Sequence, residues 1–368
     1  MKTPSSTDAL DDSRWSIASP EVTTVLQLNY DGGRTRLLSL YEKGKTKQWD
    51  ATTRLDWSAQ VNPENPLGFP DFYVALHGSR IWERMNDKER GEVRFHLDCW
   101  RFSQFLHGEQ GALVCASRIV QTVPDLDAKF YAATQVFDEA RHVEVFSRYL
   151  REKLGMIYPI NPHLKTLLGQ ALGDARWDFT YLAMQVLIEG LALAAFGLIR
   201  DFATEPLGRS LTAYVMQDEA RHVAFGRLAL KDLYPQLTEK ERDEREQFTV
   251  EACYLMRDRF LGQEVYEKLG LDVAECAEHM RTSEIMLQYQ KMLFSRIVPT
   301  LKDIGLWGPR VRKAFADLGV LEFSELDTEE QGRADEDVAS ELEKLREARD
   351  SYVAGVSAEP REPLDAAH

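Results

Sequence analysis

The chain has 368 residues, 44% of them apolar, with seven Trp and seventeen Phe, enough for a sizeable buried core. Its formal net charge of −15 argues against a phosphate-binding surface, so no nucleic-acid partner is expected. No unbroken apolar run reaches the ~18 residues of a membrane span, and the polar N-terminus lacks the apolar stretch of a secretory signal, which predicts a cytoplasmic protein.

Residues 1–20 read as a disordered lead. Residues 21–85 read as an irregular wrapping arm, with Pro63, Pro66, Gly68 and Pro70 close together. From 86 to 321 apolar residues recur at spacings of three and four, without sustained alternation, so this stretch is predicted to be an all-α bundle. Asn86 followed by Glu89, and Thr238 followed by Glu241, predict capping-box starts of long helices. Breaks are expected near Pro124, Pro159 to Pro162, Pro206 and Gly208, Pro235, Gly270 and Pro299. Residues 322–368 carry fifteen Asp or Glu against five Lys or Arg, which predicts an acidic, partly disordered tail. The four cysteines have no metal-like or disulfide-like spacing and are expected to be ordinary buried thiols.

One internal repeat carries chemistry. Asp138-Glu139-Ala140-Arg141-His142-Val143 recurs eighty residues later as Asp218-Glu219-Ala220-Arg221-His222-Val223, and Glu109 and Glu189 lie upstream in the same register. Pro124 sits midway between Glu109 and Glu139, and the Asp201 to Gly208 break midway between Glu189 and Glu219. Each unit is therefore predicted to be an antiparallel helical hairpin whose two glutamates stand at one height. Glu and His at i and i+3 share a helix face, so two facing hairpins would present four carboxylates and two imidazoles to one interior point.

The neighbours on those faces are apolar: Phe105, Ala112 and Leu113 around Glu109, Leu193 and Phe196 around Glu189, Phe146 one turn after His142, and Val215 one turn before Glu219. Carboxylates on such a stripe need compensating positive charge, and two divalent cations balance four of them. Oxygen and imidazole ligands without thiolate suit iron or manganese. Asp138 and Asp218 are expected to accept hydrogen bonds from the imidazoles across the hairpins, oriented by Arg141 and Arg221. Phe105, Leu113, Phe146, Leu193 and Phe196 are candidates for the wall of a substrate pocket. His107, two residues from Glu109, points to another face and is expected to be structural.

The doubled motif resembles that of the ferritin-like superfamily in its oxygen-activating, carboxylate-bridged di-iron branch, including the p-aminobenzoate N-oxygenase and bacterial multicomponent monooxygenase hydroxylase families. The resemblance covers Asn86 to about Leu233, and all six positions Glu109, Glu139, His142, Glu189, Glu219 and His222 are of the family type. It implies a ferritin-like bundle with a four-helix di-metal core and flanking helices, two Fe ions or a Mn/Fe pair, and O2 as co-substrate. It further implies a small organic substrate with an aromatic, acyl or amine-bearing part, an external ferredoxin or flavin reductase, and a homodimer. The chain departs from its relatives at three places. Val215 stands where the N-oxygenases carry a further histidine ligand, Leu193 where multicomponent hydroxylases carry Thr, and Phe146 where the reductase small subunit carries its radical Tyr. The competing expectations are an iron-oxidising, iron-handling protein and a non-catalytic metal-bound subunit.

Overall fold

The computed structural model describes residues 15–18, 21–30, 33, 35–338, 340, 341 and 344. Most of the expected disordered lead, and the tail beyond 344, lie outside the described residues. Among these the chain is helical, with no strand.

Seven helices position the site: α1 (Thr35–Thr46), α2 (Asp87–Thr122), α3 (Leu126–Tyr149), α4 (Pro162–Gly173), α5 (Trp177–Phe202), α6 (Pro206–Leu233) and α7 (Glu239–Arg259). Helix α2 starts where its cap predicts: the Asn86 side chain accepts from the Glu89 amide at 3.1 Å, and the Asn86 amide donates to the Glu89 carboxylate at 2.8 Å. Thr238 and Glu241 close the same reciprocal pair at the start of α7. Only residues 123–125 join α2 to α3 and only 203–205 join α5 to α6, so both pairs fold back as hairpins. The hairpins pack face to face through α3 and α6, forming a four-helix core. Helix α1 lies across α3 and α6, and α7 covers α4 and the middle of α5. All four cysteines are buried and free.

Three features add to the sequence expectation or differ from it. The 21–85 arm, predicted irregular, contains α1 and the short helices Ala51–Arg54 and Arg80–Arg84. Leu37, Leu40 and Tyr41 pack α1 onto the core, a stripe too short to stand out as a period. The acidic tail begins as a helix at 328–338 and is tied to the body by Arg296 to Asp335 at 2.8 Å. Helix α5 is long and apolar enough to cross a membrane by length and composition, with 78% of its most apolar stretch buried inside the fold. Gln185 and Glu189 interrupt that stretch, which is why no unbroken apolar run marked it.

Helix α5 is also irregular. Residues Leu182–Ile188 wind as a π-helix immediately before Glu189, a widening often found beside functional groups. Helix α6 approaches it at Gly226, where an added Cβ would sit 2.4 Å from the Gln185 Cβ. Gly226→Ala must push the π segment away from α6. It is expected to cost about 1–3 kcal/mol by overpacking, read as a lower urea midpoint at unchanged slope; an unchanged midpoint would show that the segment yields freely.

Candidate metal centre

Each helix of the core delivers its motif residues to one buried point. Glu109 comes from α2, Glu139 and His142 from α3, Glu189 from the first turn after the π segment of α5, and Glu219 and His222 from α6. All six are buried. Ligand-type atoms of Glu109, Glu139, His142 and Glu219 lie within 4.8 Å of one another, and so do those of Glu139, Glu189, Glu219 and His222. The two sets share Glu139 and Glu219. The eighty-residue repeat exchanges one set for the other: Glu109 and His142 on one side, Glu189 and His222 on the other.

Both imidazoles turn Nδ1 to the carboxylates and Nε2 away. His142 Nδ1 is 3.2 Å from Glu109 and 3.1 Å from Glu219, and His222 Nδ1 is 3.1 Å from Glu139. On the outer side His142 Nε2 meets Asp218 at 3.1 Å, and His222 Nε2 meets Asp138 at 3.3 Å. Each aspartate thus reaches the histidine of the opposite hairpin. Arg141 donates to Asp138 at 2.6 Å and to Asp218 at 2.8 Å. Arg221 donates to Asp218 and lies 3.8 Å from Asp138.

Three further residues hold this shell. Trp49 Nε1 donates to Asp218 at 2.8 Å, and its ring lies under the Arg141 guanidinium at 4.7 Å. Gln48 donates to Asp138 at 2.9 Å and accepts from Arg141 at 2.6 Å. Gln135, one turn before Glu139, donates to Glu139 at 3.0 Å and to Glu189 at 2.9 Å. Gln48 and Trp49 follow α1 at the edge of the arm, so no local pattern marked them. Gln135 could have been found, since i−4 places it on the ligand face; its counterpart by the repeat is Val215. Trp49→Phe keeps a ring beside Arg141 and removes one donor from a buried carboxylate. A loss of about 1–3 kcal/mol of stability is expected, read by chemical denaturation, and an unchanged stability would deny the bond its role.

The electrostatics fit bound cations. Burial, with Glu219 and other carboxylates close by, pushes Glu109 and Glu189 well above the ordinary carboxylate range. Burial works against charge on both imidazoles, yet the surrounding carboxylates raise His142 and His222 well above their ordinary value. Burial opposes ionisation of Glu139 and Asp218 too, but His222 and His142 hold Glu139 low, and Arg221 with His142 holds Asp218 low. Protons alone do not satisfy the cluster. Glu189 Oε2 is buried with no hydrogen-bond partner, and Glu139 Oε2, both Glu219 oxygens and His222 Nδ1 have only misaligned contacts of 3.1–3.5 Å within the cluster, a cost of order 1–3 kcal/mol per unsatisfied group that coordination to a metal ion removes.

A small cavity of about 20 Å³ opens onto Glu109, Glu189 and Glu219. Of the five residues expected to wall a pocket, Phe105 lines it, together with Ala112, Leu164, Met184, Ile188 and Ala192. Phe146 and Phe196 instead pack tilted and edge-on against Phe105, at centroid distances of 5.6 and 4.7 Å, in the seam between the hairpins. Leu193 is buried in the core and Leu113 is half-buried away from the cavity. A ligand-bearing helix spends most of its apolar face on packing its neighbours, which leaves few residues for a pocket. His107 Nε2 bonds the Tyr158 carbonyl at 2.9 Å, a structural contact.

The family model of P-aminobenzoate N-oxygenase AurF matches residues 33–305, well over half of the chain. Among solved structures, a variant R2-like ligand-binding oxidase with an anaerobically reconstituted Mn/Fe cofactor is similar, with a TM-score of 0.46 at 16% identity over 76% of this chain and 96% of that one. An R2-like ligand-binding oxidase with an aerobically reconstituted metal cofactor after photoconversion gives a TM-score of 0.46 at 17% identity over 76% and 100%. No curated protein sequence matches significantly. By the extent of its family match the chain belongs to the p-aminobenzoate N-oxygenase family, and it is an O2-dependent oxidoreductase with a dinuclear metal centre.

Proposed function

We propose that Glu109, Glu139, His142, Glu189, Glu219 and His222 bind two iron ions, or a manganese and an iron, at which O2 oxidises an organic substrate with an apolar part. The observation that carries this is the sharing of Glu139 and Glu219 between two otherwise separate four-residue sets. A lone ion would leave one terminal Glu and His unused, whereas two ions use all six residues. Bound there, the ions supply electrons and Lewis acidity for O2 activation.

The chain's own residues supply the rest. Glu109 and Glu189 close the two ends of the site and face the cavity through which substrate approaches. Asp138 and Asp218 fix the imidazole orientation from outside, and Gln135 pins Glu139 to Glu189. The π segment and the Phe105, Phe146 and Phe196 cluster keep bulk water from the centre. The family name favours an amine as the oxidised group. Electrons come from a separate ferredoxin or flavin reductase, which fits a sequence without a Gly-rich nucleotide fingerprint after a strand. A cytoplasmic homodimer completes the reading, and sedimentation velocity tests its dimeric part.

Anaerobic loading with Fe(II), metal counting and mixing with O2 in a stopped-flow spectrometer test the function. Two irons per chain and a transient visible absorption are expected. Continued uptake of many irons would favour an iron-handling protein, and two irons inert to O2 a structural metal site.

A further inference from the structure

A second cavity, of about 340 Å³, opens at the C-terminal end of α7 and shares no residue with the small one beside Glu109 and Glu189. The helix Glu284–Met292 turns one face to it: Leu287, Gln290, Lys291 and, just past its end, Phe294, at i, i+3, i+4 and i+7. Opposite stand Leu261, from the turn after α7, and Val320. Leu261 packs with Met280 and Met286 in a small apolar cluster separate from the main core, to which Phe294 and Val320 belong. The cavity is lined by both, so apolar packing does not close it.

The polar groups of this wall are unevenly paired. Arg257 is taken by Asp258 at 2.7 Å, and Asp317 by Lys313 at 2.8 Å. Arg281 only approaches Glu278, at 4.0 Å, with both side chains more than half exposed. Lys291 has no hydrogen bond or ion pair among the described residues. Its stem is nonetheless held: Gly319, in the left-handed region at φ +68°, lets the turn after the helix Pro309–Asp317 come so close that an added Cβ would stand 3.1 Å from Lys291 Cε and 3.3 Å from Nζ. Gln290, beside it, is 9% exposed, and its Nε2 is buried with no hydrogen-bond partner. A buried donor left unmade is costly. An unpaired ammonium and an unpaired amide donor on one largely apolar wall are both satisfied by an acceptor that carries negative charge.

We propose that this cavity is a second small-molecule site, which takes an organic monoanion with a compact apolar body. The anionic oxygens meet Lys291 Nζ and Gln290 Nε2, and the body rests on Leu261, Phe294 and Val320. Lys291 is the one cation of the wall without an internal partner, which sets the head at a single negative charge; Arg281 at the rim adds attraction without a fixed geometry. The volume of about 340 Å³ falls within the roughly 300–1,000 Å³ of small-molecule pockets. None of these residues reaches the metal centre, so the site stands independently of the metal-centred reading.

The probes are 1-naphthylacetate and 1-naphthylacetamide, alike in shape and different in charge, titrated by calorimetry into the metal-loaded protein. The acid is expected to bind at least tenfold more tightly than the amide. Lys291→Gln should erase that preference and Lys291→Arg should keep it, while Gln290→Leu should weaken the acid several-fold. The metal-free protein should bind the acid with unchanged affinity, because the two cavities share no residue. Absent binding of the acid, equal affinities for acid and amide, or a preference that survives in Lys291→Gln overturns the proposal. Binding that disappears with the metals also overturns it, by placing the ligand at the metal centre. If Gln290→Leu does not fold, the two Lys291 variants, at a side chain only partly buried, still decide.

Discussion

Glu139→Ala is expected to reduce bound metal to one ion per chain or fewer and to bring O2-dependent activity to background, a fall of at least about a hundredfold, beyond the 10–100-fold typical of losing an outer-shell partner. Glu139 belongs to both four-residue sets, so its loss leaves three residues around each position and removes the bridge between them. It also frees His222 Nδ1, 3.1 Å away, and Gln135. Glu109→Ala and Glu189→Ala each subtract from one set only, so they should retain between one and two ions. The ordering, measured by elemental analysis after loading under identical conditions, is more diagnostic than any single value. Two ions in Glu139→Ala, or equal losses in all three variants, would remove Glu139 from its shared position. Glu219→Ala provides the internal control, because the repeat makes it the equivalent of Glu139.

That control works because the repeat is visible both in sequence and in space. The six residues and their aspartates and arginines were legible because each relation is local: i to i+3 on one helix, or one hairpin length apart. A duplicated local pattern folds into duplicated geometry, and the crossing of Asp138 to His222 and of Asp218 to His142 follows from placing the hairpins face to face. Trp49 and Gln48 were not legible, because they reach the centre from the loop after α1, which only tertiary packing brings to it. The π segment before Glu189 leaves no mark in a spacing argument, since one inserted residue per turn changes hydrogen bonding and not composition. Of the expected pocket wall only Phe105 lines the cavity, for another reason. Proximity to a ligand on a helix face does not distinguish a side chain that meets the opposing hairpin, as Phe146 and Phe196 do, from one that meets empty space, as Ala112 and Ala192 do.

The metal-free protein should lose stability as pH rises from 6 to 8, and the metal-loaded protein should not. Glu109 and Glu189 have folded values raised well above the ordinary 4.5. The folded metal-free form therefore holds protons that the unfolded chain releases, and folding is increasingly disfavoured as pH climbs from 4.5 through the raised values. His142 and His222 are also raised, above the ordinary 6.5; their contribution is complete below 6.5 and disappears as pH rises through the folded values. Both pairs act in the same direction in this window. The lowered groups, Glu139 and Asp218, act elsewhere: their contribution is present above 4.5 and 3.8 and is lost as pH falls below them. Metal ions require the deprotonated ligands, so loading expels the protons held by the cluster and the apparent affinity increases about tenfold per pH unit for each proton released. Thermal melts with and without Mn(II), at pH 6, 7 and 8, should accordingly diverge, with the loaded protein gaining on the metal-free one at each step. A constant separation across the window would mean that the buried glutamates and histidines change no protons on loading, and the cluster would then not be the metal site.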